Sequence, residues 1–193
     1  MAKLPSNISL SQDEVRQDIE VSDWLGVEEL PADLALAIGQ EMADYIKSRA
    51  QDGKGIGGTN LKSPYSERYA ESLDFKAAGK SKGDVNMTLS GSMLDAIDVD
   101  SDGQTITIAI NDSAEAPKAY GHMTGFEGHP TIPNGAKYRR QFFGLNKKEF
   151  DQAIKPLFRE EIRELRREER SVARETVNEI RTLGDLFSLV DED

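Results

Sequence analysis

The chain's 193 residues and 21.4 kDa match one ordinary domain, or one compact domain with long arms. Only 37% of the residues are hydrophobic, and 35 Asp and Glu against 24 Lys and Arg leave a formal net charge of -11, a balance that repels phosphate and argues against nucleic acid as the main ligand. With no Cys, disulfides, thiolate zinc sites, iron–sulfur clusters and cysteine nucleophiles are excluded. No apolar run approaches the ~18 residues of a membrane span, and MAKLPSNISLSQDEV has no apolar signal-peptide core, so neither membrane insertion nor secretion by a cleaved signal is expected.

Residues 1–30 read as an acidic arm: Asp13, Glu14, Asp18, Glu20, Asp23, Glu28 and Glu29 face only Lys3 and Arg16, with Trp24 and Leu25 as isolated anchors. A core domain is expected over 31–165. Leu34, Ile38, Met42 and Tyr45 recur at helical spacing after Pro31, so a helix should run to near Gln51. Gly53 to Gly58 (GKGIGG) lacks the Gly-Lys-Ser/Thr ending of a phosphate loop and follows no apolar strand, which favours a flexible or ring-lining loop. A short helix is expected from Ser66 to Leu73, a strand over 85–89 (VNMTL), and a helical turn in SMLDAI. Ile97 and Val99 alternate before Asp100-Ser101-Asp102-Gly103, and Ile106, Ile108 and Ile110 alternate after it, which predicts a hairpin and a half-buried antiparallel sheet.

A helix in AEAPKAYGHM is followed by a Gly- and Pro-rich loop in which Phe126, Tyr138, Arg139, Arg140, Phe142 and Phe143 cluster as a contact surface. Asn146 then offers an N-cap, with Glu149 closing a capping box and Leu145 and Phe150 placed as a hydrophobic staple. Ile154, Leu157, Phe158, Ile162 and Leu165 give the new helix a core-facing stripe, bent at Pro156. Past Leu165 the stripe thins to Val172, Val177, Ile180 and Leu183, so residues 166–193 read as an extended charged helix with an acidic tail, reaching toward a second copy or another protein. The fold class expected is α+β: a small antiparallel sheet flanked by helices, with an N-terminal arm and a long C-terminal helix.

Candidate chemistry is sparse. Asp98, Asp100, Asp102 and Gly103 match the start of a calcium loop, but its twelfth position, which needs a bidentate carboxylate, is Ala109. His122, Glu127 and His129 lack the one-face spacing of a zinc helix, and Ser90 in LSGSM is no nucleophile elbow. No catalytic, cofactor or metal site is expected, and the chain reads as a non-enzyme.

PYSERYAESLDFKAAGKSKGDVNMTLSGSMLDAI resembles a stretch of the virion-morphogenesis proteins of tailed bacteriophages, the neck and tail-completion family. Tyr65-Ser66, Gly79-Lys80 and Met87-Thr88-Leu89-Ser90-Gly91-Ser92-Met93-Leu94 stand where that family has a Tyr-Ser helix start, a Gly/Lys loop and a strand leading into a small helix. AYGHMTG at 119–125 and RRQFFGLNKKEFDQAI at 139–154 resemble its later segments, although Gln141 replaces the Pro that often follows the family's Arg. The resemblance spans roughly 64–154 and implies a structural virion protein that forms a homo-oligomeric ring between the portal connector and the tail, assembled in the bacterial cytoplasm. A tail-terminator ring is the variant of that reading; a calcium- or metal-responsive binding module is the rival from another class.

On this reading the partners are copies of the chain, neighbouring neck, connector or tail-tube proteins, and DNA that passes without specific binding; no membrane is involved. Trp24, Tyr138, Arg139, Arg140, Phe142, Phe143, Arg163 and Arg167 are the candidate subunit contacts, with Lys54, Asp98, Asp100 and Asp102 in candidate lumen loops. Residues 84–115 carry acids without a single Lys or Arg, whereas 118–149 hold six cations against Glu127 and Glu149, a division that suits a head-to-tail interface.

Overall fold

The computed structural model describes residues 4–61, 65, 67–81, 83, 85–87, 91–125 and 139–190, with backbone alone at 68, 69, 74, 179 and 181–190. Its first elements overturn the N-terminal arm. Strands β1 (Ile8–Leu10) and β2 (Val15–Glu20) and the short helix α1 (Val21–Leu25) belong to the body of the protein, and Val15, Ile19, Val21, Leu25, Val27 and Leu30 are all buried. The strand VRQDIE turns Val15, Gln17 and Ile19 inward and Arg16, Asp18 and Glu20 outward. Its acids therefore report one solvated face, while a Gln at the middle inward position hides the alternation.

Helix α2 (Ala32–Gln51) follows as its periodicity predicts, then a 3-10 turn at Ile56–Gly58 and the short helices α3 (Glu67–Ala70), α4 (Leu73–Ala77) and α5 (Ser92–Asp95). Among residues 85–87 no strand forms where one was expected; 88–90 lie outside the described residues. The predicted hairpin is present as β3 (Asp98–Ser101) and β4 (Thr105–Ile110), and β4 pairs on its other side with β2. The result is one four-stranded antiparallel sheet of order β1-β2-β4-β3. After α6 (Ala116–Thr124), the chain re-enters the described region at Arg139 and begins its C-terminal helical run with α7 (Lys147–Glu149).

That run changes pitch around Pro156. A π turn at Phe150–Ile154 and a 3-10 turn at Lys155–Phe158 precede α8 (Arg159–Val190). Proline has no N–H for the helical ladder and its ring crowds the carbonyl four residues back, which the widened turn accommodates. The architecture is α+β with a long C-terminal helix.

The core lies on one face of the sheet. Ile19, Ile106, Ile108 and Ile110 meet Ile38, Met42 and Ile46 of α2, all fully buried. Close approach is set by Gly39, where a Cβ would stand 2.4 Å from Cγ1 of Val99 and 3.0 Å from Cγ2 of Ile106. Gly39→Ala should therefore push α2 off the sheet and cost about 1–3 kcal/mol in denaturant unfolding. Adding Val99→Ala removes the nearest clashing methyl, so the double variant should regain part of that loss.

Candidate subunit interface

The segment 139–145, expected to carry an exposed contact surface, is largely buried instead. Phe142, Phe143 and Leu145 are fully buried, the two rings meeting edge to face at 6.4 Å. Two polar side chains hold the backbone between them. Gln17 donates to the Leu145 carbonyl and accepts its N–H, both at 2.8 Å, which explains a polar residue inside the sheet. Arg49, at the end of α2, donates to the carbonyls of Phe142 and Gly144 and pairs with Glu149, all at 2.7 Å. Gly144 sits between them at φ 91°, and a Cβ there would strike Ile8 at 2.5 Å. The expected capping box is present: the Glu149 N–H donates to Asn146 at 2.9 Å and the Asn146 N–H to Glu149 at 3.1 Å.

Phe142 and Phe143 are thus core residues, and alanine at either would test folding instead of contact. Arg140 is corrected likewise: it is 4% exposed, stacks over the Tyr65 ring at 4.7 Å, and donates from its backbone to the His122 carbonyl at 2.7 Å. Arg139 donates to the Thr124 carbonyl at 3.3 Å. Trp24 is half-buried, its ring edge-on to Phe150 at 5.1 Å, and its carbonyl accepts from Lys147 and Lys155. These five side chains face their own chain; an aromatic beside Arg reads the same way in sequence whether it anchors a partner or a loop. Tyr138 lies outside the described residues, as do Phe126, Glu127 and His129.

Of the candidate lumen residues, Lys54 is half-buried and bonded to Asn60, and its loop is fixed by the Ile56 N–H donating to Gln141 at 2.9 Å, so no free loop stands there. Asp98 and Asp100 are exposed on the outer face of the sheet, where each carboxylate accepts the next residue's N–H, Val99 at 3.0 Å and Ser101 at 2.8 Å. Asp102 closes the hairpin turn: the N–H groups of Thr105 at 2.7 Å and Gln104 at 3.0 Å hold its pKa below the ordinary carboxylate value. Asp18 and Glu20 join this face, with Arg16 paired to Asp18 at 2.7 Å. Among the described residues no group of three or more His, Cys, Asp or Glu could hold a metal ion, and no helix is long and apolar enough to cross a membrane.

A surface of opposite sign lies along the first turns of α8. Lys155, Arg159, Arg163, Arg166, Arg167 and Arg170 line an open groove of about 620 Å³ against Asp151 and Glu160. Arg163 and Arg167 are exposed there, Arg163 at 4.0 Å from Glu160. This cationic surface lies C-terminal to the 118–149 stretch that composition singled out; its signal was Arg at 159, 163, 166, 170 and 174, a helical spacing. Arg166 donates to the Leu25 carbonyl, and Glu169 accepts the Glu28 N–H at 2.8 Å, which fastens α8 to the body. Beyond that point Val172, Val177 and Ile180 are 62%, 64% and 64% exposed. Set against known protein families, curated proteins and solved structures, the chain finds no match in any of the three.

Two measurements check this geometry. Arg49→Met strands the Glu149 carboxylate in a site where it is only 8% exposed, and should cost about 3–5 kcal/mol in denaturant unfolding. Arg49→Met with Glu149→Gln should recover much of it, since Gln preserves the capping box. His122, whose Nδ1 lies 3.1 Å from Arg140, is held down to about 3 by burial and then by the Arg140 charge. A base depressed in the folded state stabilises fully above its unfolded value of 6.5 and loses that contribution as pH falls toward 3. Stability should drop by roughly 1–2 kcal/mol between about pH 6.5 and 5, and His122→Gln should flatten that part of the profile.

Proposed function

We propose that the chain is a non-enzymatic structural subunit of a tailed-bacteriophage neck, one of the rings that complete the tail or join it to the portal connector. One observation carries the assembly part of this reading: α8 outlasts the body that supports it. In proteins a helix takes most of its stability from packing an apolar face on something else, not from the propensity of its residues. The turns beyond Glu169 present Val172, Val177 and Ile180 to solvent, so the single chain leaves that packing unmade.

The phage part rests on the resemblance across 64–154. In such a ring the outer sheet face, with Asp18, Glu20, Asp98 and Asp100, would supply an acidic wall past which DNA moves without being gripped, since fixed negative charge offers phosphates no counterion exchange. Electron microscopy of the purified chain, alone and mixed with portal or tail complexes, tests the reading. Closed rings seated at the end of a portal or tail are the expected result. A chain that stays monomeric alone and in both mixtures refutes it.

A further inference from the structure

The charges of α8 are sorted in a way that a helix in water does not need. Residues 159–181 hold seven Arg and seven Glu, so this segment is neutral in a chain of net charge -11. Every charged pair four residues apart within it has the same sign: Arg159–Arg163, Arg163–Arg167, Arg166–Arg170 and Arg170–Arg174, and Glu160–Glu164, Glu164–Glu168 and Glu175–Glu179. Such pairs sit one above the other on a helix surface, and like charges there cost a few tenths of a kcal/mol each. A solvated helix gains from opposite signs, and the three such pairs at three-residue spacing, Glu160–Arg163, Glu164–Arg167 and Arg166–Glu169, all lie in the turns up to Glu169; from Arg170 to Arg181 there is none.

At 3.6 residues per turn the two signs form separate rows. Val172, Thr176 and Ile180 continue the line of Ile162, Leu165 and Glu169 that packs on the body. Glu164, Glu168, Glu175 and Glu179 run along one side of that line, and Arg159, Arg163, Arg166, Arg170 and Arg174 along the other. Glu168, Arg170, Arg174 and Glu175 are exposed.

We propose that the free part of α8 docks side by side on the same helix of a second copy, running in the same direction, with the Arg row of one against the Glu row of the next. Direction follows from symmetry. Two parallel copies bring unlike flanks together, as the positions beside a coiled-coil seam do, whereas antiparallel copies set Arg against Arg and Glu against Glu. Neutrality of the segment lets two strongly acidic chains meet at this surface without their net repulsion. The inference rests on the assembly part of the function proposed above and names the contact through which copies recognise each other.

The test uses two charge-row variants of the full chain, Glu168→Arg/Glu175→Arg and Arg170→Glu/Arg174→Glu, with circular dichroism verifying that each folds. By light scattering, each alone should associate at least about tenfold more weakly than the unaltered chain. An equimolar mixture of the two should recover association, because one supplies the Arg row and the other the Glu row. Since the chain has no Cys, Val172→Cys and Ile180→Cys report direction: parallel helices allow each variant to form its own disulfide-linked dimer, whereas antiparallel helices allow at most one of the two.

Unchanged association of both charge variants, failure of the mixture to recover it, cross-linking at only one Cys position, or an unaltered chain that never self-associates would each overturn the proposal. Rings on portal or tail that form equally well with either charge variant would remove this inference and leave the neck reading standing. A charge-coded oligomer that ignores portal and tail would do the reverse.

Discussion

The Arg49 guanidinium is the joint on which the two halves of the protein depend. It stands at the end of the helix that covers the sheet, and its three bonds at 2.7 Å reach the carbonyls of Phe142 and Gly144 and the carboxylate of Glu149. A lysine could not span that set, because only a planar fork presents several donors in fixed directions. Burying the charge is unfavourable unless each partner is in place, so the site tolerates only one arrangement of the segment 142–149. Glu149 in turn caps the helical run that becomes α8. The helical run is thus tied to the body at its root by Arg49 and further along by Arg166 and Glu169.

The acid excess is laid out by geometry. Alternation in β2 and β3 collects carboxylates on the open side of the sheet, and Arg16 balances only part of that charge. The C-terminal helix does the opposite, pairing equal numbers of Arg and Glu and sorting them into rows. A single net charge averages over both patterns and describes neither. The chain has one surface built to stay solvated and another on which the two signs balance.

Periodic signals read true in the sequence. The helix after Pro31, the hairpin around Asp102, the turn at Ser92 and the capping box at Asn146 are all local, and each carries its own chemistry. What stayed hidden was long-range. Strand β2 has two apolar residues and a buried Gln whose partner is Leu145, a separation of 128 positions that no local pattern reveals. Phe142, Phe143 and Arg140 look like a sticky loop until Arg49 and His122 are seen holding the backbone between them. Composition likewise placed the cations in 118–149, whereas spacing along the last helix would have found the Arg row.

Four-stranded sheets have two open margins, and margins invite more strands. Here β1 is three residues long, and along β3 the N–H groups of Val99 and Ser101 are already given to the carboxylates of Asp98 and Asp100. An incoming strand would have to displace those carboxylates and lie beside their charge. Many copies held close together would be at constant risk of fusing sheet to sheet into disordered aggregate. The two aspartates act as a guard against that outcome.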